Sequence, residues 1–150
     1  MVGPEALGKR RRARRYVAAR EVRHMAEGAP ERTYSEAEIN ARLQRELPHW
    51  RYEGGWIRRN YRTHGWKGTL MVINAVGHLA EAAWHHPDIT ASYAWVEVRL
   101  QNHAAKGISD KDFELAMKIE EVVQWRPGKG GGALAGTPET DQRFAYIKYD

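Results

Sequence analysis

The sequence predicts an α+β fold, an antiparallel sheet with helices packed on one face, together with an N-terminal basic helical extension. Three observations carry this expectation. Two capping boxes, Ser35 with Glu38 and Ser109 with Asp112, each open a segment whose apolar residues recur at helical spacing. A Gly54-Gly55 pair separates two runs rich in aromatic residues. Residues 93–100 alternate strictly between two rows of side chains.

The first helix follows from Ser35, with Ile39, Leu43 and Leu47 forming one apolar stripe until Pro48 stops it near Glu46. Residues 50–52 and 56–63 read as two strands around Glu53-Gly54-Gly55, because paired glycines tolerate the positive φ of a tight hairpin turn. A long helix is expected from about Trp66 to Trp84, with Leu70, Ile73, Val76 or Gly77, and Ala80 on its buried line. Tyr93, Trp95, Glu97 and Arg99 then alternate with Ala94, Val96, Val98 and Leu100 along a strand that begins near Ile89. The second capping box opens a helix through Phe113, Ala116, Ile119 and Val123, and Pro127 with the glycine run at 128–132 ends it. Residues 144–149 alternate again, and are expected either to add a short strand or to dock on the body.

Charge divides the chain unevenly. Residues 1–30 hold eight Lys/Arg against Glu5, Glu21 and Glu27, which accounts for the whole net charge of +5. The other 120 residues carry sixteen basic and sixteen acidic side chains. The basic balance describes an arm, not a nucleic-acid-binding domain, so direct nucleic-acid binding is the weakest reading. The arm has good helix formers over residues 4–27 and a stop at Gly28-Ala29-Pro30, and reads either as a solvated charged helix or frayed extension or as an electrostatic contact with an acidic partner, nucleic acid or a neighbouring subunit. The expected division is therefore residues 1–30 as the arm, 31–125 as the domain, and 126–150 as a Gly-rich linker and tail. The absence of cysteine excludes disulfides, thiol catalysis and cysteine metal sites. No stretch reaches the roughly 20 apolar residues of a membrane span, and the basic start lacks the apolar middle of a signal peptide, so a cytoplasmic protein is expected.

Among seven histidines, His85, His86 and His103 stand apart. The pair follows a helix end and is held by Pro87, which biases His86 away from helical geometry. His103 closes the strand that begins near Ile89; about 13 extended residues span roughly 40 Å. The third histidine therefore meets the pair only if the sheet curls or the helix end lies over that strand's far half. Three readings stand: a metal site, an acid/base site, or unrelated histidines. Adjacent rings cannot easily face one ion, which disfavours metal. An imidazole can give or take a proton at neutral pH.

Glu81-Ala82-Ala83-Trp84-His85-His86-Pro87, then Tyr93, His103 and Asp112 at fixed intervals, resembles the signature of the pterin-4a-carbinolamine dehydratase family. Leu47-Pro48-His49-Trp50 and Gly107-Ile108-Ser109-Asp110-Lys111-Asp112 resemble two further family segments, so the likeness runs over residues 35–123. It implies a four-stranded antiparallel sheet with helices on one side, assembling as a homodimer or homotetramer. It also implies dehydration of 4a-hydroxytetrahydropterin to the quinonoid dihydropterin, the recycling step for tetrahydrobiopterin, with no metal and no cofactor. By this resemblance His85 and His103 are the acid/base pair, and His86 binds and orients the pterin. Pro87, Glu81 and Asp112 shape or support the substrate pocket, Asp112 serving equally as a helix cap. Ile89, Gln101 and Asn102 depart from the family pattern along the pocket wall. Branches of the family that act by binding, one of them assembly factors for ribulose-bisphosphate carboxylase, make a non-catalytic assembly role the alternative. The arm and tail, which exceed the compact enzyme, are where a protein partner is then expected.

Overall fold

The computed structural model of the chain describes residues 30–138 and 140–150, so the helix expected over residues 4–27 lies outside the described residues. Helix α1, Glu36–Glu46, begins where the capping box predicts: Glu38 N–H donates to Ser35 Oγ at 3.3 Å, and Ser35 N–H donates to the Glu38 carboxylate at 2.8 Å. Ile39 and Leu43 are buried on its inner face, and Leu47 continues the line past its end.

Strands β1, Arg51–Glu53, and β2, Trp56–Arg62, pair antiparallel across Gly54-Gly55. The two glycines take φ of +61° and +85°, the left-handed values that a two-residue hairpin turn demands. Helix α2, Trp66–Ala83, follows, but its buried line is Thr69, Val72, Val76 and Ala80. Leu70, expected inside, is 40% exposed and Ile73 is only partly buried. The stripe is rotated because Thr69 turns inward to hydrogen-bond Thr63 Oγ1 at 2.9 Å and the Tyr93 carbonyl at 3.0 Å.

The largest correction concerns residues 88–100. They form not one long strand but a hairpin of β3, Asp88–Ser92, and β4, Trp95–Leu100, with Tyr93 and Ala94 in the turn. The turn contains no glycine. It is held from outside, since Thr63 N–H donates to the Ala94 carbonyl at 2.9 Å while Thr69 holds the Tyr93 carbonyl.

The four strands lie in the order β1-β2-β4-β3, all antiparallel. Helix α3, Asp110–Val123, packs with α2 on one face of this sheet. Ile57 and Tyr61 from β2, Val96, Val98 and Leu100 from β4, and Phe113, Ala116 and Ile119 from α3 fill the space between. Each such large side chain stabilises by about 1.5–3 kcal/mol when fully buried. A charged cluster crosses this core: Glu120 accepts from Trp50 Nε1 at 3.0 Å, Arg59 Nε at 3.2 Å and the Tyr61 hydroxyl at 2.7 Å. Burial, reinforced by the Glu120 charge, pushes the Tyr61 phenol far above its usual range.

After a short 3-10 turn at Pro127–Lys129 the chain returns to the body. Ile147 is buried, its residue bridges Thr63, and Lys148 N–H donates to the Arg62 carbonyl at 2.9 Å. Of the two expectations for the tail, docking is the outcome, and the Asp150 carboxylate pairs with Arg59. Docking requires Gly68 in α2, because a Cβ there would lie 2.0 Å from the Tyr146 carbonyl oxygen.

Candidate active site

The hairpin removes the long strand that separated the three histidines as read from the sequence, although the ring contact of His103 is with Trp56 and not with the pair. Register Asp88↔Arg99 means that His85 and His86 enter, and His103 leaves, at the same end of β3 and β4. No curling of a long strand is needed.

Helix α2 sets the pair. It ends with Trp84 N–H donating to the Glu81 carbonyl at 3.2 Å and His85 N–H donating to the Ala80 carbonyl at 3.1 Å. This is the Schellman arrangement, with Trp84 in its left-handed position at φ +52°. The reversal turns His85 toward α3. There its Nε2 lies 2.7 Å from Oδ1 of Asp112, a carboxylate with no exposed surface, and the imidazole itself is 13% exposed. The other Asp112 oxygen accepts the Ser109 N–H at 2.8 Å. One residue thus caps α3, as one of its two sequence readings has it, and also contacts His85.

His86 points the other way, half exposed, with Nε2 2.8 Å from the Glu81 carboxylate one turn back on α2. Trp84 meets the His86 ring edge-on, centroids 5.4 Å apart. Pro87 links the pair to β3. His103 stands at the start of the loop after β4, its ring 5.4 Å from that of Trp56 at an interplanar angle of 75°.

Asn102 anchors that loop. It is buried, donates through Nδ2 to Ser109 Oγ at 2.9 Å, and accepts the Ala105 N–H at 3.1 Å. Its backbone also pairs both ways with Gly107, at 2.9 and 3.2 Å. Ser109 therefore joins the His103 loop to the residue that grips His85. Asp110, beside it, is held below the usual carboxylate range by hydrogen bonds from the Tyr34 hydroxyl and then Arg42, bracing α1 against the start of α3.

Trp56 was not among the residues singled out from the sequence. Its only signal is register: β1–β2 pairing places it one residue before Ile57, which faces Leu100. Ile89 and Gln101, which depart from the family pattern, lie on β3 and just after β4, and Gln101 donates to the Gly55 carbonyl at 3.1 Å. A separate cleft of about 400 Å³, lined by Trp125, Leu134, Tyr146 and Tyr149 among others, contains none of the expected site residues. Among the described residues no group of three or more His, Asp or Glu is placed to hold a metal ion, and no helix is long and apolar enough to cross a membrane.

Residues 32–122 match the family model described as pterin 4 alpha carbinolamine dehydratase. The chain belongs to that family. It is similar to a pterin-4-alpha-carbinolamine dehydratase family protein of Aquifex aeolicus, 41% identical over 93 residues that make up 62% of this chain and 93% of the relative. A counterpart from Chloroflexus aurantiacus is 40% identical over 89 residues, 59% of this chain and 95% of that one. Among solved structures, the transcriptional coactivator/pterin dehydratase of Brucella melitensis aligns with a TM-score of 0.57 at 22% identity, covering 61% of this chain and 99% of its own, which shows the shared fold. A pterin dehydratase-like protein identified as a RuBisCO assembly factor in the alpha-carboxysome aligns with a TM-score of 0.43 at 19% identity, over 49% of this chain and 88% of its own. The family match stops short of the docked tail.

Proposed function

We propose that the protein dehydrates a 4a-hydroxytetrahydropterin to the quinonoid dihydropterin by histidine acid/base chemistry. The observation that carries this reading is the His85–Asp112 contact of 2.7 Å at the hairpin end where His86 and His103 also stand. In the reaction the bond between carbon 4a and its hydroxyl oxygen breaks, and that oxygen takes a proton to leave as water. The adjacent ring nitrogen loses its proton, and the electron pair released forms the carbon–nitrogen double bond. Atoms and charge balance with one proton given and one taken, which is work for two imidazoles.

An ionised carboxylate only accepts hydrogen bonds, so Asp112 fixes the proton of His85 on Nε2 and leaves Nδ1 as the basic atom. His85 then takes the proton from the ring nitrogen, and His103 protonates the departing hydroxyl. His86, tied to Glu81, orients the ring, and Pro87 holds the pair in its extended exit from α2. The homodimer or homotetramer expected from the resemblance belongs to the same reading and is measured by sedimentation equilibrium.

The test is stopped-flow decay of freshly generated 4a-hydroxytetrahydropterin with the full chain. Acceleration over buffer, lost in His85→Ala and in His103→Ala, is the expected result. No acceleration by the wild type refutes the reading. In that event co-expression with ribulose-bisphosphate carboxylase, scored as soluble carboxylase with and without residues 1–30, becomes the experiment on the assembly role.

A further inference from the structure

Trp84 occupies a position that its side chain disfavours. Its φ of +52° and ψ of +41° are left-handed, the conformation in which glycine commonly ends a helix because a Cβ crowds the following carbonyl. A bulky aromatic residue there is an outlier, and such outliers cluster at functional sites. Core packing does not offset the strain: the residue is 77% exposed, the most exposed of the large hydrophobic residues of the described chain. The backbone bonds that close the helix use only its N–H, which glycine would supply equally well. What the indole does touch is the edge of the His86 ring, at 5.4 Å and 78°. The side chain thus stands beside the histidine pair, open to solvent.

We propose that the Trp84 indole is a stacking wall for the pterin ring, positioned beside His86; this rests on the dehydratase reading and deepens it. A flat, electron-poor heterocycle over an electron-rich indole gains attraction whatever hydrogen bonds its edges make. The substrate's carbon 4a is tetrahedral and bends the pyrimidine ring away from the ring nitrogen beside it, whereas in the product carbon 4a is trigonal and the pyrimidine ring and that nitrogen lie in one plane, carbons 6 and 7 staying tetrahedral in both. Contact with the indole therefore improves as the hydroxyl departs, so Trp84 favours the transition state over the bound substrate. The left-handed backbone is what carries the indole out from the helix end instead of folding it back along α2.

The experiment compares wild type, Trp84→Phe and Trp84→Gly in the full chain, with three readouts. Binding of 7,8-dihydrobiopterin by calorimetry is expected to weaken at least tenfold in Trp84→Gly and no more than about threefold in Trp84→Phe. Dehydration kcat/KM is expected to fall in the same order. Thermal stability is expected to rise in Trp84→Gly, because glycine relieves the strained φ. An unchanged affinity in Trp84→Gly overturns the proposal while leaving the dehydratase reading standing if the wild type is active. A fall in stability without a loss of affinity, or a change of sedimentation mass, assigns the indole to packing or a subunit contact and also overturns it. A wild type that neither dehydrates the substrate nor binds the dihydropterin overturns both.

Discussion

Replacing Asp112 with asparagine separates its two jobs. In the folded chain Oδ1 faces His85 Nε2 at 2.7 Å and Oδ2 accepts the Ser109 N–H at 2.8 Å. The amide of Asp112→Asn keeps one oxygen. If that oxygen stays on Ser109 N–H, the NH2 group faces His85 Nε2, and the ring must carry its proton on Nδ1 instead. The base then points its proton at the atom from which it should take one. A hydrogen bond to a charged group is worth about 1.5–3 kcal/mol, and at about 1.4 kcal/mol per tenfold this becomes a loss of roughly 10- to 150-fold in kcat/KM. Weakening of the cap costs about 0.5–2 kcal/mol of stability. Ser109→Gly is the comparison, since it impairs the cap and leaves the His85 contact in place; it also removes the acceptor of Asn102, so Asn102→Ala is measured beside it to account for the loosened His103 loop. Both variants are read by stopped-flow dehydration and by thermal unfolding. If Asp112→Asn loses no more activity than Ser109→Gly at matched stability, the carboxylate is a helix cap alone and the tautomer argument is wrong.

Other changes test other parts of the structure. Asn102→Ala strips Ser109 Oγ and the Ala105 N–H of buried partners, so unfolding should become easier by about 1–3 kcal/mol, with kcat/KM reduced through a loosened His103 loop. Gly68→Ala drives a methyl into the Tyr146 carbonyl and should release the tail, lowering the melting temperature and exposing residues 140–150 to limited proteolysis; an unchanged cleavage pattern contradicts the docking. Gly77→Ala, with nothing within 4 Å of the added Cβ, should instead stabilise by about 0.5–1 kcal/mol through helix propensity. Tyr61, its phenol raised by burial and by Glu120, contributes stability that is complete below its unfolded value of 10.0 and is lost as the pH rises above it. Absorbance at alkaline pH should therefore show Tyr61 ionising only with unfolding, and Tyr61→Phe should flatten the alkaline fall in stability.

What the sequence made legible was chemistry contained within a few residues. Ser35 with Glu38, Ser109 with Asp112, and Gly54-Gly55 each state their geometry locally, and each element begins or turns where they say. The turn at Tyr93-Ala94 carries no such statement. Its alternation runs on without a break, and only Thr63 and Thr69, some thirty and twenty-four residues earlier, fix the reversal. Leu70 reads as buried in the sequence for a related reason: two adjacent stripes on α2 are both apolar, and which one faces inward depends on where Thr69 finds its partners. Of the site, residue types and spacing pointed to the histidines and Asp112. That His103 leaves the sheet at the end where the pair enters depends on the hairpin, and the contacts of Trp56 and Asn102 depend on register and burial that spacing does not encode.

The edge strand β3 has a consequence for how the site fails. All five of its side chains are exposed, yet it is the element that joins His86 to the return path toward His103. An edge ladder without a buried face is among the first parts of a domain to open in local fluctuations. Amides of β3 should exchange with solvent faster than those of β2 or β4. The proposed site is thus assembled across an edge ladder with no buried face, and on heating, the proposed activity should fade while the core beneath the sheet is still folded.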